Sequence, residues 1–359
     1  MTRIVVVGAG IVGAAVAYEA ARAGAQVALI DKGLPGSGVT ADSFAWIGEP
    51  RPGEVPDASS ALRRHTLRAW RRWDEDVPGV RVRWHGALLL GAEQASGDGE
   101  RLVEAGRVEP HLVGPPARAV HLERHGAVDP VAVTQAVARA AQGHGARLMT
   151  GTVVTGLVLG EGRVVGVESS AGRVGADTVV VAAGVDAPVR GRALGFDLPV
   201  APSPALLMRF AAPPGLVRTL IVGPDLEIRE AAEGELLVPA AYHGESDHDA
   251  LRQAGEQMRR RLVATFGSDD IRLLGVRVGA RPMPADGLPV IGPVPGVLGA
   301  YLAVMHSGIT LAPSVARLIT SELVDGAEAD ELADLRPARF ANAERPDASQ
   351  GPLHRAQPE

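Results

Sequence analysis

The chain has 359 residues and no cysteine. That excludes disulfides, cysteine-ligated zinc, iron–sulfur clusters and thiol catalysis. Lysine is nearly absent as well. Lys32 is the only one, so almost all positive charge is guanidinium and any lysine chemistry has one candidate. Genomic bias is the plainest source of that composition. No apolar run reaches the length of a bilayer span, which predicts no integral membrane segment. There is no basic excess either. The net charge of -6 and a pI near 6.0 argue against a nucleic-acid partner. A strand begins by residue 3, which leaves no room for a signal peptide before it, so a cytoplasmic location is expected. What remains is a globular composition, 46% hydrophobic and 22% charged, long enough for two domains and open to oligomeric assembly.

The chain opens with an apolar strand, Ile4-Val5-Val6-Val7, then Gly8-Ala9-Gly10-Ile11-Val12-Gly13, an alanine-rich helix, and a second strand ending in Asp31. This order is the machinery for holding an ADP moiety. Gly8 permits the tight turn, Gly10 lets backbone approach a pyrophosphate, and Gly13 lets the helix pack close to the strand. The helix N-terminus, starting at Ile11 and Val12, faces the phosphate charge. Asp31 lies about twenty residues on, where an acid can hold ribose hydroxyls, with Lys32 beside it.

Strands are expected at 3–8 and 26–31, and helices at 11–23 and 58–76. In the 58–76 helix, Leu62, Leu67, Trp70 and Trp73 share one side, and the arginines read as a solvated face. Residues 80–90 read as a strand, and 91–127 resist assignment. A helix over 129–145 starts with Asp129 as N-cap and Pro130 in its first turn. Residues 146–181 read as a meander leading into the strand Thr178–Val181. Alternating strands follow near Leu206–Phe210, Thr219–Val222, Leu226–Arg229 and Leu236–Val238, then a helix over 247–266 and a strand over 272–279. The segment Leu288–Gly292 returns to the first domain, and a helix over 308–325 closes it. The expected fold is α/β, with a Rossmann-like domain (1–78, 126–197 and 281–335) interleaved with an α+β substrate domain (79–125 and 198–280) on a largely antiparallel sheet. The tail over 336–359 is rich in proline and charge, and poor order is expected there.

The N-terminal fingerprint alone cannot separate NAD from FAD. The distant segments Gly126–Pro130, Val179–Asp186, Gly279–Gly292 and His306–Pro313 do so by resemblance. With the fingerprint, they resemble the glycine oxidase/D-amino-acid oxidase-like family of FAD-dependent oxidoreductases, which includes sarcosine oxidases. The resemblance spans roughly 3–325. It implies non-covalent FAD, since a cysteinyl tether is impossible. It also implies cofactor contacts at Ala183, Gly184 and Val154, and in the final motif at Gly308, Ile309 and Thr310. The free N–H groups of that last helix would stabilise an anionic reduced flavin. Thr40 and Ser43 are candidates for cofactor contact or for ordinary capping. Trp46 and Ile47 are candidates for the substrate pocket or for plain core.

An amine oxidised at a flavin needs orientation more than acid–base machinery. If the substrate carries a carboxylate, an arginine fork is the natural clamp. Arg281 matches the family position that binds it; the alternative is an arginine paired with Asp286. Arg277 points to the same face and is the weaker choice. Tyr242 could share the carboxylate, with His243 competing for that place. His306 is a candidate for flavin contact or oxygen activation, or a structural histidine. The cluster Glu245–Asp249 reads as a capping loop before the 247–266 helix rather than a metal site. The implied activity is oxidation of a C–N bond in an amino acid or N-alkyl amino acid to an imine that hydrolyses. Oxygen, a quinone or a protein would accept the electrons. Sarcosine oxidases use a lysine near the flavin for oxygen, and none is available here. Alternatives are a flavin-dependent 2-hydroxy-acid or alcohol dehydrogenase, with His243 or His306 as base, and a flavin-binding subunit of a larger dehydrogenase.

Overall fold

The structure is a computed structural model describing residues 1–50, 54–92, 94–95, 97 and 99–341. In chain order the elements begin with β1 (Arg3–Val7), α1 (Ile11–Arg22), β2 (Gln26–Ile30) and β3 (Trp46–Ile47). They continue through α2 (Ser60–Arg63), α3 (Thr66–Asp76), β4 (Ala87–Leu89), β5 (Glu100–Val103), α4 (Ala105–Val108), β6 (Ala119–Leu122) and β7 (Gly126–Ala127). Then come α5 (Pro130–Gly143), β8 (Arg147–Met149), β9 (Val154–Gly160), β10 (Arg163–Ser169), β11 (Val174–Gly175), β12 (Thr178–Val181) and α6 (Ala187–Ala193). The last group is β13 (Val200–Ala211), β14 (Leu220–Val222), β15 (Glu227–Ala232), β16 (Glu235–Ala241), α7 (His248–Phe266), β17 (Arg272–Pro284), β18 (Val290–Pro293), β19 (Ala300–Val304) and α8 (Gly308–Thr320).

Two large sheets organise the chain. The first has the order β18-β19-β12-β1-β2-β8, parallel throughout except for the β18 edge. Strand β1 alternates between two cores. Ile4 and Val6 face α1, α3, α5 and α8, while Val5 and Val7 face the small β9–β11 sheet and α6. Both faces are therefore covered, which is why β1 reads as an unbroken apolar run. The second sheet has the order β17-β13-β16-β15-β14-β4-β6-β5, antiparallel except where β14 meets β4. Helix α7 covers one face, and side chains such as Arg229 connect the other face to the first unit.

Asp129 caps α5, accepting from the N–H groups of Val131 and Ala132. Several expectations need correction. The 58–76 helix breaks at Arg64–His65 into α2 and α3. Its arginines are only partly solvated: Arg72 pairs with the buried Glu19, Arg63 with Glu54, and Arg71 lies 4.3 Å over the Trp84 ring. The strand expected over 80–90 shrinks to Ala87–Leu89. The supposed meander at 146–181 gives its first strand, β8, to the parallel sheet. Strand β17 runs unbroken to Pro284, past the expected boundary at 280, so Arg281 sits within a strand of the second sheet. Order also extends beyond residue 335. Arg336 pairs with Glu322, Pro337 is buried, and Arg339 donates to Asp286. The rest of the expected tail, 342–359, lies outside the described residues. Among the described residues no helix is long and apolar enough to cross a membrane.

Glu322 accepts from Arg336, from the Tyr301 hydroxyl and from the Ala329 N–H. Burial alone would raise its pKa, but these bonds prevail and hold it below the ordinary value. Its contribution to stability is therefore present above the unfolded carboxyl pKa and lost as pH falls through the folded one. Arg336→Ala is expected to destabilise the protein by about 3 kcal/mol, because it strands that carboxylate. Urea unfolding at neutral pH reads the loss, and the gap should narrow in acid.

Candidate active site

The turn after β1 is built to exclude side chains. Gly8 has φ 106°, and a Cβ there would overlap the Ala182 carbonyl oxygen; a Cβ at Gly13 would overlap the Gly8 carbonyl oxygen. The strand, the turn and α1 can pack this closely only as glycine. Asp31 ties the turn from the side. One carboxylate oxygen accepts the Ala9 N–H at 2.6 Å and the other accepts the Gly33 N–H at 2.6 Å. Each keeps lone-pair capacity for a ribose hydroxyl. Thr40 is buried, and its hydroxyl accepts the Ile11 N–H at 3.2 Å. It is thus a capping residue at the α1 N-terminus, set against Gly10. Lys32 forms an ion pair with Asp186, which follows Ala183 and Gly184 after β12. Val154 is buried at the start of β9, and its carbonyl accepts from Arg190 at 2.5 Å.

The start of α8 lies against the start of α1. A Cβ at Gly308 would stand 3.2 Å from the Val12 side chain and 3.7 Å from that of Ile11. Two helix N-termini, one from each end of the chain, thus share one locus, and each presents first-turn N–H groups that have no intrahelical partner. Gly308 and Ile309 are buried. The Thr310 hydroxyl donates to the Trp46 carbonyl at 2.9 Å, and the Thr310 carbonyl accepts from the Trp70 indole at 3.0 Å. The Thr310 side chain therefore serves the protein, and only its backbone N–H is left for a ligand.

The segment 43–47 threads between the two units and is pinned along its length. The Ser43 hydroxyl accepts the Ala45 N–H at 3.1 Å, supporting a left-handed Ala45 at φ 57°. Trp46 donates its indole N–H to His125 at 3.1 Å. Ile47 is fully buried in the core, so it is not a pocket wall. The strongest pin is Arg229, which is 1% exposed. Its guanidinium donates to the Phe44 carbonyl at 2.6 Å and the Val128 carbonyl at 3.0 Å, and lies 5.5 Å over the Phe44 ring. Burial pushes its pKa down to about 10, and the group remains charged.

Arg281 is half-buried, donating to the Ser203 carbonyl at 3.2 Å and hydroxyl at 2.9 Å. Among the described residues it has no carboxylate partner. Asp286, the expected alternative, is taken by Arg339. Arg277 is paired with Asp42 at 2.6 Å. His306 stands close enough for the Arg281 charge to act on it. Its surrounding protein lowers its pKa first and Arg281 lowers it further, although the ring is open to solvent on one side. Tyr242 is on the wrong face. Ala205 pairs with both Ala241 and Gly279, so Tyr242 falls in the next row, on the α7 side, where it packs with that core. His243 is exposed in the following loop, with its N–H on Glu245 at 2.7 Å. No hydrogen bond or ion pair joins either residue to Arg281. Asp247 accepts the Ala250 N–H and caps α7.

The sequence profile of the family described as DAO, FAD dependent oxidoreductase, matches residues 3–322. The chain belongs to this family. A curated glycine oxidase of Pseudomonas aeruginosa is 27% identical over 96% of this chain and 99% of its own. Among solved structures, iminodiacetate oxidase from Chelativorans sp. BNC1 is 26% identical with TM-score 0.79, covering 93% of this chain and 99% of that one. L-proline dehydrogenase from P. horikoshii superposes with TM-score 0.82 at 21% identity, covering 95% and 98%.

FAD is thus the cofactor of this flavoenzyme, and the residues present fit it. Gly8 and Gly13 let β1, the turn and α1 pack without side chains between them, and at Gly10 the backbone is left bare where a pyrophosphate would approach. Asp31, fixed by the Ala9 and Gly33 N–H groups, would be able to hold the ribose, and the α8 N-terminus beside the α1 N-terminus would be able to hold the rest of the same molecule. Sequence reasoning missed Arg229, Arg190 and the Asp42–Arg277 pair. Arg229 sits in a polar-looking strand, Glu227-Ile228-Arg229-Glu230, and its acceptors are backbone carbonyls 185 and 101 residues away. Arg229→Ala is expected to destabilise the DAO-family fold by about 3 kcal/mol or more, because it strands two carbonyls and opens a cavity. Arg229→Lys should recover only part, since one ammonium cannot reproduce the fork. Denaturant unfolding of the FAD-loaded protein reads both.

Proposed function

We propose that this flavoenzyme oxidises the C–N bond of an amino acid or N-alkyl amino acid. The product is an imine, which water hydrolyses to a carbonyl compound and an amine. The observation that supports this reading is Arg281, a half-buried guanidinium with no acid partner among the described residues, oriented by Ser203 and adjacent to His306. A buried cation without a counter-charge is costly unless a ligand supplies one. A substrate carboxylate would accept from the guanidinium and fix the α-carbon for reaction. Bound FAD supplies the two-electron acceptor for the hydride leaving that carbon. The α8 N-terminal N–H groups favour negative charge developing beside them. The similarity to a glycine oxidase and an iminodiacetate oxidase supports a small carboxylate-bearing amine.

His306 favours one second reading. Burial and the Arg281 charge lower its pKa and so favour the neutral imidazole, which could take a hydroxyl proton as a 2-hydroxy-acid dehydrogenase requires. The electron acceptor is a further part of the proposal. The sole lysine is engaged with Asp186, so a cation beside the ring would have to be an arginine or a protonated histidine, and among the described residues Arg281 and His306 are the candidates. Anaerobic bleaching of the flavin across amino acids, N-methyl amino acids and 2-hydroxy acids separates the two readings. Admitting air afterwards separates an oxidase from a dehydrogenase that uses a quinone or protein.

Arg281→Ala is expected to weaken carboxylate substrates by about 100-fold with FAD content unchanged. An unaltered apparent affinity would remove the clamp assignment. The His306 pKa lies below its ordinary value of 6.5 because of burial and the Arg281 charge. A bound carboxylate offsets that charge and must raise the pKa, so protonation and binding favour each other. The affinity of a non-oxidisable carboxylate should therefore rise as pH falls through the His306 titration. That slope should vanish in His306→Gln.

A further inference from the structure

The only lysine of the chain lies at an informative place in the first sheet. Lys32 directly follows Asp31 at the carboxyl end of β2, and Asp186 closes the turn that follows β12. Strand β1 lies between those two strands, paired to each in parallel. Strands once removed are about 9.6 Å apart, a gap that an extended lysine and an aspartate can bridge together. The Nζ–Oδ2 distance is 2.7 Å. The ion pair therefore crosses over the carboxyl end of β1, above the turn that begins at Gly8. In this fold class that crevice holds the ADP half of the dinucleotide.

The neighbouring groups are consistent with a cover over a groove rather than part of its floor. Asp31 does not join the pair, because its carboxylate is held by the Ala9 and Gly33 N–H groups. Arg190 lies near Lys32 but is committed to the Val154 carbonyl. Lys32 and Asp186 are themselves largely solvent-exposed, at 70% and 54%, and among the described residues no other ion pair restrains either side chain. They are free to separate and re-form.

We propose that Lys32 and Asp186 form a clasp across the ADP half of the FAD crevice, closing over the seated cofactor and limiting its release. An exposed ion pair is worth little on its own and is screened by salt. The clasp is therefore a slow latch, not a lock, and the cofactor remains exchangeable.

The test measures FAD dissociation from the loaded protein, by flavin fluorescence after dilution into an excess of a flavin-capturing apoprotein. Lys32→Met and Asp186→Asn are each expected to speed release by about five-fold, the scale of one exposed pair. The double variant should be no faster than either single one. The reversed pair, Lys32→Asp with Asp186→Lys, should restore slow release. Raising salt from about 0.05 M to about 1 M should speed the wild type toward the variants and leave the variants unchanged. Arg3–Asp177 is an exposed ion pair at the opposite end of β1 and serves as control, so Arg3→Met should not alter release. Unchanged release in Lys32→Met, additive effects in the double variant, or an equal effect from Arg3→Met would each overturn the clasp.

Discussion

Everything in this molecule depends on the close approach of two helix N-termini that belong to opposite ends of the chain. The contact of Gly308 with Ile11 and Val12 brings two helix N-termini to one locus, each with first-turn N–H groups that lack an intrahelical partner. No side chain could do this as cheaply. The donors are fixed by the helices, carry partial positive charge and need no reorganisation when an anion arrives. The geometry requires small residues at Gly8, Gly13 and Gly308, and a turn that Asp31 holds open from the side. A diphosphate and a redox ring belonging to one cofactor fit such a site, which is how an FAD dependent oxidoreductase can be assembled from distant motifs.

The second constraint is Arg229. A fully buried guanidinium that bonds only carbonyls is an expensive choice for a core, and it persists here because three segments need one rigid junction. Through it the second sheet grips Phe44 and Val128. The Thr310 hydroxyl grips the same segment two residues on, at Trp46. The strip over residues 44–46 is thus held from both units. This rigidity matters because orientation is the main service that flavin chemistry asks of the protein.

Much of the first unit was legible in the sequence. Strand β1, α1, β2 and the capped start of α5 follow from local rules of periodicity, glycine placement and capping. The same rules failed where tertiary contacts overrode them. Helix α3 lost its first turns to α2, and Arg72 left its expected solvated face for a buried Glu19. Arg336 and Pro337, read from composition as tail, pack onto Glu322 and β18. Composition counts residue types, and it cannot register a partner brought in by folding.

The sequence by itself determined that a dinucleotide turn exists, because glycine, strand and acid occur at fixed local spacing. It also singled out Arg281 as a candidate, by resemblance to a family motif over Gly279–Gly292 that is contiguous in the chain. Only the tertiary structure decided which candidates share a surface. Tyr242 falls on the far side of its sheet from Arg281 because side chains alternate at every residue, and the register across β16, β13 and β17 sets that parity. Ile47 became core, and Thr40 and Thr310 became internal fastenings. Register and long-range pairing arise from the whole chain at once, so no local pattern could have fixed them.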